Sequence, residues 1–119
     1  QSTQGTVNAD LSLIPTPNPL VFGATIPGTP TAPVEITLTP GTSNLAVTVS
    51  LNGGASGLFN NIKFDVDDDG TYSPAAGVIN VDANTPLSFN SRLDVPVGFA
   101  SGSYIDGVIT YIAAERFLP

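Results

Sequence analysis

With 119 residues, 41% of them hydrophobic and only 11% charged, this chain has enough apolar content for one core but too few charges for an ordinary soluble surface. Its net charge of −7 sets ten acids against Lys63, Arg92 and Arg116, which excludes the basic clusters that bind nucleic acid or anionic lipid. The absence of His and Cys excludes Ser-His-Asp catalysis, His-bearing zinc sites and disulfides.

The first predicted element is Gly5–Ile14. Val7, Ala9, Leu11 and Leu13 alternate with Thr6, Asn8, Asp10 and Ser12, so one face of a strand carries an apolar row. Pro15-Thr-Pro-Asn-Pro19 follows. Proline lacks an N–H and fixes φ, so this stretch reads as a stiff tether outside any sheet. The chain begins at Gln1 rather than Met, which is the expectation for a secreted protein after signal-peptide removal. No window approaches the ~20 apolar residues of a membrane span, so no membrane insertion is expected.

Beyond the tether, Leu20–Gly23 reads as a short strand and Pro27–Pro30 as a turn. Val34–Leu38 and Leu45–Leu51 alternate cleanly, separated by the Pro40–Asn44 turn, and Asn52-Gly-Gly54 stops the second. Ile62–Val66, Val78–Val81 and Leu87–Phe89 are further short strands. Leu93–Val97 is another, which Pro96 puts at an edge or an end. In Ser103–Ala114 both rows are apolar, which predicts a strand that is central or covered on both faces. Eleven prolines and twelve glycines spread along the chain argue against long helices. The predicted fold is all-β, an immunoglobulin-like β-sandwich.

The sharpest chemical motif is Asp65-Val-Asp67-Asp-Asp69-Gly-Thr71. Acids at positions one, three and five, with Gly at six and a carbonyl at seven, match the start of a calcium loop. Position twelve is Ala76, where a bidentate Glu belongs, so Asp65, Asp67, Asp69 and Thr71 form an incomplete shell. The competing reading is an acidic hairpin end. Lys63, beside a core row, reads as an outward lysine rather than a partner in an isopeptide bond. The acids cluster in one turn and Trp is absent, so a carboxylate-pair hydrolase is not expected, and the chain is not read as an enzyme. Phe and Tyr residues lie within predicted strands, where core packing is their ordinary role.

Two ends of the chain together resemble fimbrial subunits. Gly102, Tyr104, Gly107, Val108 and Ile109 resemble the Gly-x-Tyr-x-Gly-x-apolar ending of their last strand, with one extra residue between Tyr104 and Gly107. Thr6–Leu13 resembles the N-terminal donor strand of pilins assembled by strand exchange, and Leu20-Val-Phe-Gly23 is similar to a short strand that recurs in them. Lack of a Cys pair sets the chain apart from the commonest pilins and is shared with some colonisation-factor-type and archaeal filament subunits. The resemblance implies residues 1–14 as donor strand, 15–19 as tether and 20–119 as sandwich body. Val7, Ala9, Leu11 and Leu13 would enter successive pockets of a neighbouring copy, giving an extracellular head-to-tail homopolymer. The alternative is a self-complete immunoglobulin-like binding domain, with or without calcium, whose first strand pairs within its own sheet. Contact between Gly5–Ile14 and its own body separates the two.

Overall fold

The computed structural model describes residues 1–118. Seven strands carry the period-two segments: β1 (Leu13–Thr16), β2 (Val34–Pro40), β3 (Leu45–Asn52), β4 (Ile62–Asp65), β5 (Ile79–Val81), β6 (Leu87–Leu93) and β7 (Val108–Glu115). There is no α-helix among them; Leu58–Asn61 forms one 3-10 turn. The strands make two antiparallel sheets, ordered β1-β2-β6-β4 and β5-β3-β7. β2 to β6 each bury one row and β1 and β7 half-bury one, so the two sheets close face to face over Ile36, Leu38, Leu45, Val47, Phe64 and Phe89. Phe64 and Phe89 meet edge to face at 6.3 Å between ring centres. Ser91, fully buried in β6, donates its hydroxyl to the Val34 carbonyl at 2.8 Å, so its burial leaves no polar atom unpaired. The all-β, two-sheet architecture expected from the alternation is the one observed.

Several boundaries differ from expectation, each for a nonlocal reason. Pro15, assigned to the tether, lies in β1 opposite Leu38. The Gly41 amide donates to the Ser12 carbonyl, so alternation along this pair puts Pro15 in a non-hydrogen-bonded position. At the edge of a sheet, the missing N–H there costs nothing. Leu20–Gly23 is not a strand: Leu20 and Phe22 pack on the core, but no neighbouring strand takes up their backbone. Leu87–Phe89 and the start of Leu93–Val97 merge into β6. Beyond Leu93 the chain pairs instead with the loop before β2, through Gly28 N–H to Val95 O at 2.8 Å and Thr31 N–H to Leu93 O at 2.9 Å. The last strand begins at Val108 rather than Ser103. It lies at a sheet edge, not at the centre.

Candidate functional site

The site is built from that edge. β7 pairs with β3 along its whole length, from Leu45↔Glu115 to Asn52↔Val108. On its other side no strand pairs with it among the described residues. Its inner row, Ile109, Tyr111 and Ala113, is half-buried. Its outer row includes Val108 and Ile112, 56% and 58% exposed. An eight-residue strand apolar on both rows and unpaired along one edge is an unusual thing for a protein to leave in water.

Facing this edge across the sandwich is β1. Leu11, Leu13 and Pro15 stand opposite Ile109, Tyr111 and Ala113, enclosing a cleft of about 400 Å³. The cleft shares Pro15, Ile109 and Tyr111 with a larger cavity of about 1000 Å³, whose walls include Phe22, Phe59, Val95 and Tyr104. The two adjoin between the sheets beside β7, and the larger one is mainly apolar. Burial at this wall pushes the Tyr111 hydroxyl up to about 12. At the mouth, Tyr104 donates its hydroxyl to the Ala100 carbonyl at 2.6 Å and packs edge to face on Phe99. Gly107 lies so close to the Phe59 ring that a Cβ there would overlap it. Gly102, Tyr104, Gly107, Val108 and Ile109, the motif at the C-terminal end, therefore all lie at this groove or its mouth.

The N-terminal segment divides into two parts. Gln1–Ala9 is exposed throughout, and none of the hydrogen bonds among the described residues involves it. Val7 is 98% exposed. The radius of gyration is 17.4 Å, against the ~13.5 Å expected of a compact chain this long. The longest dimension, 73 Å, reflects that projecting arm. From Asp10 onward the chain rests on its own body. The Asp10 carboxylate accepts from the Thr42 amide (2.8 Å) and hydroxyl (3.0 Å) and from the Ser12 amide (3.0 Å) and hydroxyl (2.5 Å). The Asp10 amide donates to Ser43 Oγ at 2.9 Å. The Ser12 hydroxyl first, then the Thr42 amide, hold this carboxyl well below the usual carboxylate range. Of the four residues expected to act together, Val7 and Ala9 are on the free arm, while Leu11 and Leu13 line the chain's own groove. Asp10 was not singled out in the sequence. The Asp-x-Ser spacing of an Asx turn is its only local signal.

The acidic loop is held by its own backbone. Asp65 is 4% exposed and turns its carboxylate back onto the loop, accepting from the Asp69 amide at 3.1 Å and the Gly70 amide at 3.0 Å. Asp67 and Asp69 stay exposed, and Asp69 caps the Thr71 amide at 2.9 Å. Among the described residues no three acidic groups converge on a point where a metal ion could sit. Lys63 pairs with Asp94 at 2.8 Å, and Asp94 also receives Arg92 Nε at 2.9 Å. Burial alone would raise the Asp94 carboxyl, but the Lys63 hydrogen bond and the two cations outweigh it and keep it low. No helix among the described residues is long and apolar enough to cross a membrane.

Comparison with protein-family models, curated proteins and solved structures finds no match for this chain.

Proposed function

We propose that this protein is the subunit of an extracellular filament, and that the arm of one copy fills the groove of the next as an added strand on β7. The observation that carries the reading is the coexistence of an open, doubly apolar edge strand with an exposed arm, Gln1–Ala9, that makes no hydrogen bond to its own body among the described residues. Edge addition supplies register through main-chain hydrogen bonds and affinity through side chains in pockets. The contact joins two different surfaces, so it propagates head to tail and does not close.

The topology supports an immunoglobulin-like sandwich lacking one strand. A constant-type sandwich has strands A, B, E and D in one sheet and C, F and G in the other. If β1, β2, β6 and β4 take the places of A, B, E and D, and β3 and β7 those of C and F, then the place of G is the outer edge of β7. β5 is then an extra strand beside C. The Tyr104 hydroxyl bonded four residues back, just before β7, corresponds to the tyrosine corner at the start of F. The low charge of the chain suits repeated contact between identical surfaces, since few ions need desolvating.

A self-complete binding domain draws support from β1, which pairs within its own sheet. It leaves the β7 edge unaccounted for. Electron microscopy and gel filtration of the purified chain test the choice. Fibres from the full chain, and soluble monomers after deletion of Gln1–Ala9, are expected. A full-length chain that stays monomeric at high concentration would refute the filament.

A further inference from the structure

We infer that the donated segment is Gln1–Ala9 alone, and that Asp10 pins the chain so that Leu11, Leu13 and Pro15 stay with their own copy as one wall of its groove. This rests on the strand-exchange reading and narrows it. The apolar row that looks continuous in sequence is then split between two subunits.

Geometry carries the division. Asp10 closes five hydrogen bonds onto Ser12, Thr42 and Ser43, four through its carboxylate and one through its amide. Gly41 leaves the carboxylate its seat: a Cβ at that position would overlap the Asp10 carboxylate. The Gly41 amide to Ser12 carbonyl bond, 3.1 Å, continues the hold into β1, which pairs with β2 from Leu13↔Pro40 to Thr16↔Thr37. The hinge between arm and body is therefore at Ala9–Asp10. Pro17–Pro19 lies after β1, inside the body, and cannot act as the tether of a donated strand that begins before it.

Length agrees. Nine extended residues reach about 30 Å and the eight residues of β7 about 26 Å at roughly 3.3 Å per residue, so the free arm matches the open edge. Width agrees as well. Leu11, Leu13 and Pro15 already narrow the β1 side of the cleft opposite Tyr111. A strand entering there must carry small side chains, and the row Thr3, Gly5, Val7 and Ala9 does. If Leu11 and Leu13 were exchanged, each subunit would lose β1 and with it that wall.

Ile14→Cys with Thr39→Cys tests the division. These residues are direct partners on the outer face of β1 and β2, in a chain with no other cysteine. Their Cα separation, about 5.5 Å for a hydrogen-bonded pair, suits a disulfide. Monomers oxidised before assembly should form fibres with the same yield and length as reduced monomers and as the parent chain. The dissolved fibres should run as single chains. Locked monomers that fail to assemble while reduced ones succeed would overturn the inference. So would fibres of the reduced variant that oxidise into a ladder of linked copies, or a reduced variant that cannot assemble when the parent does. A parent chain that forms no fibres overturns strand exchange itself, and the division with it.

Discussion

Val7→Asp is the substitution that most directly challenges the proposed exchange. In the isolated subunit Val7 is 98% exposed and touches no hydrogen-bonding partner, so the change should leave the melting temperature of the monomer where it was. In an occupied groove the same position is buried. Removing the valine forfeits about 1.5–3 kcal/mol of burial, and an unpaired carboxylate in an apolar cleft costs several kcal/mol more. A combined loss of about 4 kcal/mol is roughly a thousandfold in the affinity between subunits. Val7→Ala removes two methylene equivalents, about 1.6 kcal/mol, and should weaken assembly by roughly tenfold. The assay is sedimentation of fibres against subunit concentration, beside a thermal melt of the monomer. A Val7→Asp chain that pellets at the same critical concentration as the parent would refute the placement of Val7 in a groove. A lowered monomer melting temperature would refute the freedom of the arm.

Other consequences follow from the same geometry. Asp65→Ala removes a buried carboxylate that accepts from the Asp69 and Gly70 amides and should destabilise the fold by about 1–3 kcal/mol in urea denaturation; an unchanged midpoint would mean the loop does not depend on this carboxylate. Because Asp65 faces those amides, added calcium should leave the melting temperature unchanged, and a rise of several degrees would show that the loop can reorganise around the ion. Asp10, Asp69, Asp94 and Asp106 are all held below the ordinary value of 3.8, so the folded chain binds these protons more weakly than the unfolded one. The stability they supply is present above pH 3.8 and is lost as pH falls through the lower folded values. Melting temperature should therefore be level from pH 8 to 5 and fall below about pH 4; a maximum at acid pH would contradict the assignment. Tyr104→Phe removes the bond to the Ala100 carbonyl at the groove mouth and should cost about 1 kcal/mol, read as a lower denaturation midpoint; no change would make the corner dispensable.

Much of the fold was legible because alternation is a local property. Val34, Ile36 and Leu38, or Leu45, Val47 and Val49, declare an inner row whatever they pack against, and glycine and proline mark where the rows end. The readings that failed were those needing a partner's identity. Leu20–Gly23 has the right residues for a strand and no strand beside it. Pro15 has the wrong residue type for a central strand and a suitable place at an edge. In the Asp65–Asp69 loop the spacing of the acids does not by itself say that Asp65 turns inward to accept from the Asp69 and Gly70 amides.

By itself, then, the sequence determined most strand rows, the main turns, the all-β class and an alternating stretch over Gly5–Ile14. Only the tertiary structure decided that β7 is an edge, that a groove runs between it and β1, and that Asp10 holds the arm at its base. The reason is physical. A strand's faces follow from the two-residue repeat of its own side chains, but its edges are main-chain donors and acceptors that every residue carries alike. Nothing in the side chains of Val108–Glu115 records whether that backbone is paired on one side or on two. That depends on which segments, distant in sequence, come to lie beside it.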